Sequence, residues 1–229
     1  VSFSEGDARH FKLKDSSIDC AFIMGNSFGY FEREEDDIAV LNNLKRILVS
    51  GGRLLLDIVD GSWMSQHFEP RSWEWIDKNH FVNRERSLSS DGKRIISREV
   101  ITNAEIGVMA DQLYAERVYS LDEITAILDS LGFTQIENHG NIYSHSTRGQ
   151  DLGMMANRLF ISAKAPVKKQ ITAPSTSKLL TTVIMGDPKL PDRVKKNGKF
   201  NEEDFETINQ LKQTLKSLDD FQFQYLDNH

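Results

Sequence analysis

Cysteine is nearly absent from this sequence. The single thiol, Cys20, lies in an apolar run from Ile18 to Met24, which excludes a disulfide framework and favours a buried thiol over a metal ligand. No apolar stretch approaches the roughly 18–20 residues of a membrane helix. A basic excess is missing too: 28 Lys and Arg stand against 34 Asp and Glu, for a net charge of −6 and a pI near 5.6. That balance argues against a broad nucleic-acid or anionic-membrane surface. No basic-then-apolar leader opens the chain. The expectation is a cytoplasmic, enzyme-like protein whose partner is a small molecule, with neither nucleic acid nor membrane; a homo-oligomer is compatible with it. The histidines, among them His67, His80, His139 and His145, show no metal-ligand spacing, so no metal is expected. The chain begins at Val1 rather than Met, inside what reads as a strand, which suggests a piece of something longer.

What is present is an α/β pattern in 229 residues, enough for one ordinary domain and part of a second. Residues 1–5 suit a short strand. Residues 18–24 form a continuously apolar strand apart from Asp19, as in a parallel sheet covered on both faces. The loop Gly25-Asn26-Ser27-Phe28-Gly29-Tyr30 follows. It reads either as a glycine-favoured turn or as a ligand site at the C-terminal edge of a parallel strand. An acidic stretch, 32–37, then leads into a helix carrying Ile38, Leu41, Leu44, Ile47 and Leu48 on one face. Ser50-Gly51-Gly52 is expected to end that helix, and 53–59 to return as a strand. Strand, helix and strand make a right-handed βαβ unit.

From about 68 to 119 the period changes. Residues 73–76, 81–88, 94–102 and 112–119 predict antiparallel strands, with turns at Ser89–Gly92 and at 103–107. Ser120 and Glu123 predict a capping box at the start of the next helix, closed by Gly132. Residues 133–139 and 157–164 read as a closing strand pair. Residues 166–178 are rich in Pro, Ser, Thr and Lys and read as a linker. A strand over 179–185, a helix over 201–218 and a strand over 221–226 then suggest a truncated α/β unit at the C-terminus.

In order and spacing, Gly6-Asp7-Ala8, the strand ending before Asn26-Ser27-Phe28, and Ser50-Gly51-Gly52 with Leu54-Leu55-Leu56-Asp57 resemble the later half of a class I S-adenosylmethionine-dependent methyltransferase. The helix from Ser120 and the strand after it resemble that family's late elements. The resemblance covers residues 1–165 and implies a Rossmann-like, doubly wound sheet, incomplete at its N-terminus, with an antiparallel β cap inserted at about 68–119. It implies S-adenosyl-L-methionine as cofactor. Asp7 would accept from the adenine amine and the Ala8 N–H would meet the adjacent ring nitrogen. Met24, Asn26, Ser27 and Phe28 would lie beside the methionine portion. The family's glycine-rich loop and its ribose-binding acidic residue have no counterpart here, and the fragment is expected to bind cofactor poorly without them. Residues 179–229 resemble the opening of a D-alanine–D-alanine ligase-like ATP-grasp domain; Asp187-Pro188 and the basic loop to Lys199 depart from that pattern.

Tyr30, Trp73, Trp75 and Arg98 are the candidate acceptor-binding residues, with Phe81 and Tyr114 as further walls. For the cap aromatics the competing reading is the core of a small sheet. For Arg84, Arg86, Arg94 and Arg98 it is a solvated strand face. A sulfonium is already electrophilic, so the protein chiefly aligns the reactants and excludes water. No general base is assigned; Tyr30 and His67 are the groups that come into question. Three functions stay open: methyl transfer to a small molecule such as an amino acid or peptide metabolite, a non-catalytic binding or scaffold module, and a carboxylate–amine ligase activity in the C-terminal part.

Overall fold

The computed structural model describes residues 5–140 and 157–168 with their side chains, and the backbone of 182–185. All of them fall within the compact unit Val1–Asp187. The expectations for residues 1–4, for the linker beyond 168 and for the segment beyond 185 lie outside the described residues.

The apolar run becomes β1 (Ile18–Ile23) and the amphipathic segment becomes α1 (Glu34–Ile47), followed by β2 (Leu48–Val59). β2 pairs with β1 in parallel. Helix α1 does not run on to the glycine pair. It stops at Ile47, where Leu48 turns extended (φ −63°, ψ 141°). Its last carbonyls find partners elsewhere: Ser16 and Ser17 N–H groups donate to Arg46 and Ile47, and Lys168 Nζ donates to Arg46 and Leu48 at 2.8 and 2.7 Å. Gly52 serves close packing instead, since a Cβ there would sit 3.0 Å from the Asp19 carbonyl oxygen.

The described part of the main sheet has the order β7-β8-β2-β1-β9, with β7 (Thr134–Asn138), β8 (Arg158–Lys164) and β9 (Thr182–Met185). β8 runs antiparallel between β2 and β7. β9 pairs with β1 in parallel, so the strand expected to open a C-terminal unit lies in this sheet. Val40, Leu41, Leu44 and Ile47 of α1 and Ile124 and Leu128 of α3 (Leu121–Ser130) share one core with Ala21, Ile23, Leu54, Leu56 and Ile161. Those sheet residues all lie on one face, because they are in register with one another. Both helices therefore cover the same side. Each such buried Val, Leu or Ile side chain contributes about 1.5–3 kcal/mol. The opposite face, with Cys20, Leu55 and Phe160, is buried as well. The capping box of α3 forms in both directions, Ser120 accepting from the Glu123 N–H and Glu123 from the Ser120 N–H.

A short helix the sequence reading missed, α2 (Gly61–Gln66), leaves the end of β2 and is N-capped by Asp60. The inserted segment is a four-stranded antiparallel sheet, β3 (Arg71–Trp75), β4 (His80–Leu88), β5 (Arg94–Asn103) and β6 (Gly107–Arg117), in sequential order. It is attached at the end of the main sheet where β1 and β2 finish: Gly61 N–H donates to the Tyr119 carbonyl, and Arg117 N–H to that of Gly29.

Candidate active site

Gly25 and Asn26 carry the chain away from β1 in the left-handed region (φ +66° and +57°). The turn is fixed from below by Asp57, a wholly buried carboxylate in the apolar run of β2. Gly25 N–H donates to Asp57 Oδ2 (2.8 Å) and Asn26 N–H to the Asp57 carbonyl (3.0 Å). Arg158 of β8 pairs with Asp57 at 3.0 Å. Asn26 itself is 4% exposed. Its carboxamide oxygen accepts from Val59 N–H (2.9 Å), and its amide donates to Glu116 on β6. The side chain is a brace between the parallel sheet and the cap.

Met24 and Phe28 also point inward. Phe28 packs on Tyr119 with ring centroids 5.5 Å apart. Ser27 Oγ donates to the Met24 carbonyl. What this loop presents outward is the backbone about Gly25 and Ser27, together with Tyr30. Gly29 (φ +93°) lies against β6, where a Cβ would come 2.2 Å from the Arg117 carbonyl oxygen. The glycine there answers to strand packing rather than to a ligand. Beneath it Asp37, from the acidic stretch at the start of α1, is fully buried: Arg117 pairs with it and Tyr119 Oη donates to it at 2.8 Å. Desolvation raises the Asp37 pKa against the pull of both partners.

Asp7 is half-exposed, and Arg9 engages both of its carboxylate oxygens. The hydrogen bonds from Arg9 hold its pKa down at about 2. It is thus a permanent acceptor, as an adenine amine would require, but a carboxylate has about four acceptor positions and Arg9 uses most of them. Ala8 packs against the main core, and its carbonyl accepts from Asn43 (3.3 Å).

Register divides the cap residues between two faces. Arg84 lies opposite Glu99, Glu99 opposite Gln112, Ser97 opposite Tyr114, and Ile95 opposite Glu116. This inner face is polar and largely buried. Arg84 bridges Glu74 and Glu99, each at 2.7 Å, and Gln112 donates to Glu99 at 2.8 Å. Tyr30, coming from the loop after β1, sets its ring 6.0 Å from that of Tyr114. Its hydroxyl hydrogen-bonds Glu116, whose pKa burial pushes up. Trp73, Trp75 and Arg98 occupy the other face. The two tryptophans are 57% and 49% exposed and gather on Phe81, while Arg98 pairs with Asp111 in solvent. The structure therefore brings Asn26, Tyr30 and Tyr114 together and leaves Trp73, Trp75 and Arg98 apart from them. Sequence reading missed Asp57, Glu116, Asp37, Arg117 and Arg158. The visible signal was an acidic residue inside a strongly apolar strand, Asp57. Among the described residues no three His, Cys, Asp or Glu side chains are placed to hold a metal, and no helix is long and apolar enough to cross a membrane.

The architecture is α/β with a Rossmann-like sheet, the fold of class I methyltransferases. In solved structures it is similar to an S-adenosylmethionine-dependent methyltransferase from Clostridium acetobutylicum, with a TM-score of 0.53 at 14% identity over 71% of this chain. It is likewise similar to the CcbJ methyltransferase from Streptomyces caelestis, with a TM-score of 0.53 at 10% identity over 70% of this chain. The chain spans 64% and 66% of the length of those two proteins. No protein-family model and no curated protein sequence matches it.

Proposed function

We propose that this chain is the later part of an S-adenosyl-L-methionine-dependent methyltransferase acting on a small polar molecule, for example an amino acid or peptide metabolite. The observation that carries this reading is the loop after β1. A left-handed Gly25-Asn26 turn, fixed by Asp57, leaves its backbone open at the carboxyl edge of parallel strands, where α/β sheets bind ligands. The polar inner face of the cap stands against it. In this reading the cofactor's methionine portion meets the backbone of Gly25–Ser27, its adenine meets Asp7 and Ala8, and the acceptor lies along Tyr30 and Tyr114. Bound there, the cofactor supplies an electrophilic methyl group; the chain's own residues orient the acceptor and exclude water. Although β9 pairs with β1 in the main sheet, the resemblance of residues 179–229 to an ATP-grasp ligase opening adds a fused second activity to the proposal. Calorimetric titration of the full-length protein with S-adenosylhomocysteine tests the first part, with one-to-one binding expected. A folded protein that takes up none would favour a non-catalytic binding module instead.

A further inference from the structure

Resting on that reading, the site has a route for the acceptor's proton. Tyr30 is 41% exposed and leaves the loop directly after β1. Its phenol donates inward to Glu116, a carboxylate that is itself 4% exposed. A phenol oxygen that donates its hydrogen keeps lone pairs to accept another. Tyr30 can thus take a hydrogen bond from an N–H or O–H outside while passing its own proton to the carboxylate behind it.

The groups facing Glu116 come from four elements. Asn26 and Tyr30 project from the loop after β1, Arg86 from β4 and Arg158 from β8, with Tyr114 two residues away on its own strand. Arg158 is already committed to Asp57. The remaining partners are neutral donors and one guanidinium, Arg86, and burial outweighs them to place the carboxyl above its ordinary range. Such a carboxyl is a better proton acceptor near neutrality than a solvated one.

We propose that Tyr30 and Glu116 form the proton-accepting pair of the methyl-transfer site, Tyr30 touching the acceptor and Glu116 acting through it as the positioning residue. In the step the acceptor's heteroatom bonds to the methyl carbon as the carbon–sulfur bond breaks and its electron pair stays on sulfur. The proton released from the acceptor goes to the Tyr30 oxygen while the phenolic proton moves to the Glu116 carboxylate. The pair favours a neutral acceptor that carries a proton to lose, an amine or hydroxyl, over one that is already anionic.

The test uses Tyr30→Phe and Glu116→Gln in the full chain. Carbon-13 NMR of the glutamate carboxyls follows Glu116 directly, without cofactor. Removing the phenol, which stabilises the ionised form, is expected to raise the Glu116 midpoint; an unchanged midpoint overturns the pair. In methyl-transfer assays the wild-type kcat should rise with pH at the midpoint that NMR gives for Glu116. Glu116→Gln should lose that limb and ~10²–10⁴-fold in kcat, with S-adenosylhomocysteine affinity unchanged. A variant that binds S-adenosylhomocysteine and keeps kcat and the limb refutes the proton route alone. Folded wild-type protein that binds no S-adenosylhomocysteine refutes the methyltransferase reading, and the proton route with it.

Discussion

Replacing Gly29 by alanine should cost far more than replacing Gly25, although both have positive φ and lie four residues apart in one loop. At Gly25 (φ +66°) an added Cβ meets nothing within 4 Å, so only the left-handed backbone is penalised, by about 1–2 kcal/mol. At Gly29 the same penalty applies at φ +93°, and the Cβ would also come 2.2 Å from the Arg117 carbonyl oxygen. Because that oxygen belongs to backbone, the end of β6 has to move away. The movement forfeits the Arg117 N–H bond to the Gly29 carbonyl (2.6 Å), worth about 1 kcal/mol. It also strains the Arg117–Asp37 pair, whose Asp37 side is wholly buried. Breaking such a pair costs about 3–5 kcal/mol. The expected loss for Gly29→Ala is roughly 3–6 kcal/mol, a large part of a typical domain's stability. Urea unfolding followed by tryptophan fluorescence measures both variants side by side. If Gly29→Ala falls within about 1 kcal/mol of Gly25→Ala, the clamp between loop and cap does not exist as described.

Asn26→Ala leaves the Val59 N–H and one side of Glu116 without a partner in the interior, and should destabilise by about 2–4 kcal/mol; a loss under about 0.5 kcal/mol would mean that water replaces the brace. Glu116 has its folded pKa raised above the ordinary 4.5, so the native state holds that proton more tightly than the unfolded chain. The stability this confers is complete below about pH 4.5 and is lost as pH rises through the folded value. Urea midpoints should therefore shift in favour of Glu116→Gln over wild type on going from pH 4 to 8, and a constant difference would contradict the burial argument. Trp73→Ser and Arg98→Ala, on the outer face of the cap, should leave acceptor KM unchanged, whereas about a tenfold rise in KM would move the acceptor to that face.

The elements were legible wherever chemistry is local. The capping box at Ser120, the hairpin turn at Ser89–Gly92 and the strand periods of the cap depend on neighbours a few residues away, and the structure carries all three. The helix stop was misread because Gly51-Gly52 looks like a C-terminal signal, while Ser16, Ser17 and Lys168 serve the helix end from afar. The site failed for the same reason. Asn26 is joined to Glu116 across 90 positions, Asp57 to Arg158 across 101, and Asp37 to Tyr119 across 82. Alternation along β3 and β4 marks which residues share a face, but both faces of the cap carry aromatic and charged residues. Period alone therefore could not show that Tyr114 turns inward and Trp73 outward.

Two places where main chain rests on main chain, Gly29 on Arg117 and Gly61 on Tyr119, join the inserted sheet to the parallel one. A joint without side chains has no rotamers to rearrange and no volume to conserve. Inner-face residues other than Glu116, which the Asn26 brace holds, can then be exchanged for others without loosening these two contacts. Substitutions on the inner face can change what the cap presents while keeping one alignment between the cap and the strand ends beneath it.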